Sequence, residues 1–271
     1  MTAHPYTKTR RGFTLVEVLI ALGVFAIGMV AVASLFPVAA LLQKETAEEV
    51  VGEHAAQSAK SIVEAKRLTY RAPTGAGLTG TGDLGRYHTL AGDSLSRVVP
   101  LHAINNQLLT RRYTYWDRSY PSGTPAPADR DLFWVPFVQN VSGDPTNPNW
   151  VMKLFLLTPD SNANYVPGPN QANPGDPTFF PKVVSVGCSV KDDTTFTLNN
   201  ANHGLEGGDL IMDSNGTDYQ VAEVDGSDVT VLGRILISPE SPRAVWYAPA
   251  YGGNRSPTQR IVTVKIDVPQ P

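Results

Sequence analysis

The sequence predicts an α+β fold: a long N-terminal helix packed on an antiparallel β-sheet head, with a small β-barrel inserted in that head. Three observations predict it. An uncharged apolar run passes directly into helically spaced apolar residues, together covering 13–66. Short alternating and aromatic-rich runs follow from residue 108 to 158 and again at 261–268. Between 182 and 236, five short β-like runs are punctuated by the tight-turn dipeptides Asn215-Gly216 and Asp225-Gly226.

Composition narrows the classes. Apolar residues are 42% of the 271, enough to fill a core, so the chain is not disordered. Lys+Arg number 22 against 25 Asp+Glu, a net charge of −3, which lacks the basic excess of an electrostatic nucleic-acid binder. The lone Cys188 excludes an internal disulfide framework and a cysteine-cluster metal site.

The helix begins behind a basic leader. Residues 1–12 carry Lys8, Arg10 and Arg11 and no acid. From Phe13 to Leu42 only Glu17 is charged, and Val18–Leu42 gives 25 uncharged residues. About 20 helical residues cross a bilayer. The basic residues just ahead of the run keep that end cytoplasmic. An ordinary secretory signal is the rival reading, with Ala31-Val32-Ala33 before Ser34 as its cleavage site. Against it, the run exceeds the usual ~7–15 residue apolar core of such a signal, and Glu17 sits inside it.

The run Gly12-Phe13-Thr14-Leu15-Val16-Glu17, after a short basic leader and before a long apolar helix, resembles the class III signal of type IV prepilins and type II secretion pseudopilins. The resemblance covers residue 1 to about 70. It implies cleavage by a prepilin peptidase between Gly12 and Phe13, on the cytoplasmic side. It also implies methylation of the new Phe13 amine and retention of the apolar helix. The mature balance would become 19 against 25. In the family, the acid at Glu17 pairs with the terminal ammonium of a neighbouring subunit. A buried carboxylate without such a partner is costly. The first helical turn also favours an anion.

The helix is expected from about Phe13 to Lys66. Pro37 removes a backbone donor and should kink or locally melt it. Beyond Pro37, Leu41, Leu42, Val50, Val51, Ala55, Ala59, Ile62 and Val63 recur at helical spacing, with Lys44, Glu45, Glu48, Glu49, Glu53, Lys60, Glu64 and Lys66 filling much of the remainder. That is an amphipathic stripe for packing on a head.

The domain plan is a leader at 1–12, a transmembrane and filament-core helix at 13–71, the first part of a pilin-like head at 72–181, an inserted small β domain at 182–237, and C-terminal head strands at 238–271. Ala72–Gly85 reads as a loop. Head strands are expected at Leu108–Trp116, Leu132–Val141, Trp150–Thr158, Ala244–Tyr247 and Ile261–Val268, with long loops at Pro121–Asp129 and Pro159–Asp176. Val262, Val264 and Ile266 alternate with Thr263, Lys265 and Asp267, a half-buried strand. The alternative for 182–236 is that its strands extend the main sheet.

Several motifs imitate chemistry. Gly75-Ala76-Gly77-Leu78-Thr79-Gly80 matches a dinucleotide fingerprint but lacks the strand before and the helix after that a phosphate site needs. Gly92-Asp93-Ser94-Leu95 resembles a hydrolase nucleophile block without its downstream Asp-x-x-His; Asn200-Ala201-Asn202-His203 is the nearest imitation. Asp209, Asp213, Asn215 and Asp218 are rich in oxygen but not at EF-hand spacing. No catalytic residue, metal or cofactor is expected.

The sequence thus predicts a structural subunit, a minor pilin or pseudopilin, rather than an enzyme. Its expected partners are a prepilin peptidase, other pilin or pseudopilin subunits, an inner-membrane assembly platform and, before assembly, membrane lipid. Its expected location is the bacterial inner membrane, head in the periplasm, and then a pilus or pseudopilus.

Overall fold

A computed structural model describes residues 14–73, 79–92, 96–105, 108, 111–114, 117–122, 132–158, 183–237, 241–249 and 256–269, apart from the side chains of 38, 41 and 45. The leader residues Lys8, Arg10 and Arg11, the junction Gly12–Phe13, most of the Gly75–Gly80 motif, Ser94 and nearly all of both long loops lie outside these.

The chain divides into two compact units, residues 1–50 and 51–271. Helix α1, Leu15–Ala65, is continuous over 51 residues and contains Pro37. Among the described residues of the first unit it is the only element. Leu15, Ile27, Val30 and Phe36 are each at least 70% exposed. The helix is long and apolar enough to cross a membrane.

In the second unit the amphipathic stripe finds its core. Ala55, Ala59 and Val63 are buried. Two short helices, α2 (Tyr87–Ala91) and α3 (Leu101–Ile104), pack into the same apolar cluster. The sheet is built from β1 (Val99–Pro100), β2 (Ser119–Tyr120), β3 (Leu132–Asn140), β4 (Trp150–Leu157) and a last strand, Thr258–Lys265. Its order is β1, β3, β4, last strand, all antiparallel, with β2 also pairing β3, at its Leu132–Phe133 end.

Side chains alternate across a strand, and here both faces are covered. Leu132, Trp134 and Val138 of β3, Met152, Leu154 and Leu156 of β4, and Val262 and Val264 of the last strand pack with α1. Val135, Phe137, Phe155, Leu157 and Ile261 point to the opposite cluster.

A closed barrel covers that second face. Its strands are β5 (Val184–Val190), β6 (Thr195–Leu198), β7 (Leu210–Asp213), β8 (Asp218–Asp225), β9 (Asp228–Leu232) and β10 (Ala244–Tyr247). The order is β10-β5-β6-β9-β8-β7, with β7 pairing back to β10. Phe196, Ile211, Tyr219, Val221, Val229, Val231 and Val245 fill it. The last strand of the chain, now β11, returns to the sheet.

Two strand expectations differ from the structure. Ala244–Tyr247 belongs to the barrel rather than the head sheet; without it the barrel has an open edge between β5 and β7. Leu108–Trp116 is not a strand where described. Arg112 and Tyr113 N–H both donate to the Leu108 carbonyl, at 3.0 and 2.9 Å, which closes a helical turn. The turn drives Tyr113 into the core, edge-on to Trp134, with its hydroxyl donating to the Lys66 carbonyl.

Candidate functional site

The sequence places its candidate site at the start of α1, and the structure shows how that start is built. The first amides of a helix lack intrahelical acceptors. Thr14 and Glu17 satisfy them reciprocally. Thr14 N–H and Oγ1–H donate to Glu17 Oε2 at 2.8 and 2.9 Å, while Glu17 N–H donates to Thr14 Oγ1 at 3.3 Å. This is a capping box. Thr14 stands in the Gly12–Glu17 run with no role of its own assigned there, although Thr-x-x-Glu ahead of an apolar run is the signature of this box. The box holds the carboxylate back over the turn, within one residue of the position where a cleaved chain would start. Among the described residues none bonds Oε1. Glu17 therefore sits ready-oriented on an exposed apolar rod.

The other chemical imitations are occupied by structural tasks. His203 is buried; its Nδ1 accepts from Leu205 N–H at 3.1 Å, which leaves Nε2 protonated to donate to the Gly226 carbonyl at 3.1 Å. A ring so engaged is not a general base. Asp209 accepts from the Glu206 and Ser256 amides, at 2.9 and 3.3 Å. Asp213 accepts from the Asn215 and Thr217 amides, each at 2.9 Å, and from Tyr219 Oη at 3.1 Å. These acids cap turns rather than converge on a cation. Among the described residues no group of three His, Cys, Asp or Glu is placed to hold a metal ion. A Cβ at Gly80 would collide with the Arg71 carbonyl, so this glycine serves a close backbone approach. The aromatic clusters are core: Tyr70, Tyr87 and Trp150 are buried edge to face.

A polar seam joins barrel to sheet. The β7–β8 turn reaches the sheet, where Gln139 Nε2–H donates to the Asn215 carbonyl at 2.7 Å and Val98 N–H to the Ser214 carbonyl at 2.9 Å. Lys153 of β4 extends its ammonium to 3.7 Å from the Asp218 carboxylate. Burial pulls the Lys153 pKa below the usual lysine range. Burial also pushes Asp213 up to about 6. The Cys188 thiol, half-buried in the barrel wall, is raised to about 12 by burial, so it is inert as a nucleophile.

With the helix start and its exposed apolar surface defined, comparison with known proteins adds one match. Residues 7–33 match the family model described as the prokaryotic N-terminal methylation motif. No curated protein and no solved structure matches the chain. The match spans the basic leader, Gly12, Phe13, the capping box and the first turns of α1, and ends short of Pro37. The chain therefore carries a prepilin-type class III signal at its N-terminus.

Proposed function

We propose that this protein is a structural subunit of a type IV pilus-like or type II secretion filament, a minor pilin or pseudopilin that works by assembly rather than catalysis. A prepilin peptidase cuts between Gly12 and Phe13, removes Lys8, Arg10 and Arg11 with the leader, and methylates the Phe13 amine. Before assembly α1 anchors the chain in the inner membrane, with the head on the periplasmic side. An inner-membrane assembly platform then moves the helix from lipid into a bundle of like helices. Glu17 faces the Phe13 ammonium of a neighbouring subunit there and sets the stagger between copies.

The observation that carries this reading is the methylation motif at residues 7–33, which runs into the exposed apolar helix α1. The capping box supports it, because an oriented carboxylate loses less freedom on pairing. Pro37 lacks a backbone donor, which makes its turn the easiest part of α1 to distort during transfer.

The test is a pair of variants in the native host. Gly12→Leu should leave full-length, unprocessed protein in the inner membrane. Glu17→Ala should be processed normally but enter filaments at least tenfold less. Normal maturation of Gly12→Leu on a blot would overturn the reading.

A further inference from the structure

Two ionisable side chains are buried where the barrel meets the sheet, one from each layer. Asp213, the last residue of β7, is 0% exposed, and Lys153 of β4 is 9% exposed. Side chains alternate along β4, so Lys153 faces the barrel while Met152 and Leu154 face α1. Lys153 stands 3.7 Å from the Asp218 carboxylate, and its charge also acts on Asp213.

The surroundings of Asp213 come from every neighbouring element. Its own turn supplies the Asn215 and Thr217 amides, and β8 supplies the Tyr219 hydroxyl together with Asp218. β5 brings Cys188, and β10 sets Val245 opposite. β11 adds Ile261 to the seam, while its Arg260 and Lys265 are exposed. Among these, Lys153 is the only cation that acts on Asp213. A buried carboxylate is costly unless its charge is matched. Three neutral donors and one ammonium shared with Asp218 offset only part of that cost. Contact with the sheet is what closes this site. Ser214 and Asn215, next in the chain, accept from Val98 N–H and from Gln139 Nε2–H. Met212, just before, lies in the apolar cluster between barrel and sheet. A barrel swung off the sheet would wet Asp213 and take it away from Lys153.

We propose that Asp213 and Lys153 form a pH-responsive joint, through which the barrel holds the sheet more firmly in mild acid than at neutral pH. With the barrel docked, burial lets Asp213 take up a proton near pH 6; with the seam open it returns toward its ordinary 3.8. The docked form therefore binds the proton more tightly, and acidification favours docking. From pH 7 to 5 the constant for opening the seam should fall about tenfold. The joint works within one chain, so it goes beyond the filament-subunit reading and does not depend on it.

The test is amide exchange of the full chain in detergent, corrected for the intrinsic pH dependence of exchange. Protection of the Val98 amide, whose hydrogen bond crosses the seam, should rise about tenfold from pH 7 to 5. Val231 inside the barrel and Ala59 under the other face of the sheet should not share the rise. Asp213→Asn should make Val98 protection constant with pH. Lys153→Met removes the cation and should move the midpoint of the rise to higher pH. Should Asp213→Asn not fold, the Lys153→Met midpoint decides. A flat or falling wild-type profile at Val98, a rise shared equally by all three amides, a rise retained in Asp213→Asn, or an unmoved midpoint in Lys153→Met would overturn the proposal.

Discussion

One helix carries two opposite kinds of surface. Over its first half, apolar side chains such as Ile27 and Phe36 are 73% and 70% exposed. Over its second, Ala55, Ala59 and Val63 are 1–2% exposed beneath the sheet. Both halves are helical and both carry apolar side chains, yet the chain itself covers only those of the second. Burying apolar surface is favourable by about 25 cal/mol per Å². An uncovered helix of this length therefore implies a cover from outside, first lipid and then other copies in the proposed function. The difference teaches that the second half of α1 belongs to the folding of the head, and in the proposed function the first half serves association.

The largest expected effect tests that division directly. Trp134→Ala opens the core under the second half and should destabilise the head by about 3–5 kcal/mol. Phe25→Ala, on the uncovered half, should change head stability by no more than about 0.5 kcal/mol. Thermal unfolding of the full chain in detergent reads both. Equal losses would erase the distinction between the halves.

The next effect separates the sheet's two coverings. Gly216 has φ +81°, and a Cβ there would stand 2.5 Å from Gln139 Oε1 and 2.8 Å from Val98 Cγ2. Gly216→Ala should cost about 1–3 kcal/mol by overpacking and strain at the barrel–sheet seam. Amide exchange should quicken at Val98 and in the β7–β8 turn and stay unchanged at Ala59 and Val63. Faster exchange on both sides of the sheet would mean that the coverings are not independent.

A smaller effect is pH-dependent. His88 is fully buried among Tyr70, Tyr87 and Trp150, and burial holds its pKa below the usual histidine value. The unfolded chain takes up a proton below about pH 6.5 and the folded one resists it. This contribution is therefore complete above that pH and lost as pH falls beneath it, by at most about 1.4 kcal/mol per unit. Asp213, pushed up to about 6 by burial, works the other way over the same range. The difference in head melting temperature, His88→Phe minus wild type, should therefore grow as pH falls from 7 to 5. A difference that stays constant with pH would remove the histidine from the account. Smallest of all, Thr14→Ala should weaken the first turn of α1 by about 1 kcal/mol. Its signature is faster exchange of the Glu17 amide, with the head melt unchanged.

Much of this architecture could be read from the residues because local and tertiary preferences agree. The uncharged run and the stripe through Ala55, Ala59 and Val63 foretell α1. The Asn215-Gly216 and Asp225-Gly226 turns locate hairpins whose Gly216 and Gly226 have φ of +81° and +61°. The period-2 pattern of Val262, Val264 and Ile266 foretells the face toward α1. What escaped depended on long-range partners. β10 joins the barrel through pairings with β5 and β7, far from it in sequence, and four residues carry no mark of which sheet they complete. Tyr113 reads as part of an alternating strand, but its burial against Trp134 selects a helical turn. The second covered face of the sheet did leave a trace: β3 is apolar at Val135 and Phe137 as well as at Trp134 and Val138, the near-continuous pattern of a strand buried on both sides. At the candidate site Glu17 is legible from its charge alone, whereas Thr14 becomes meaningful only with the capping geometry.

The central claim is that the uncovered half of α1 survives maturation, on a chain that then begins at Phe13. Mass spectrometry of the N-terminal peptide of the protein isolated from its native host tests it most directly. The account predicts a chain starting with N-methylated Phe13; a chain starting at Ser34, stripped of that helix half, would contradict it.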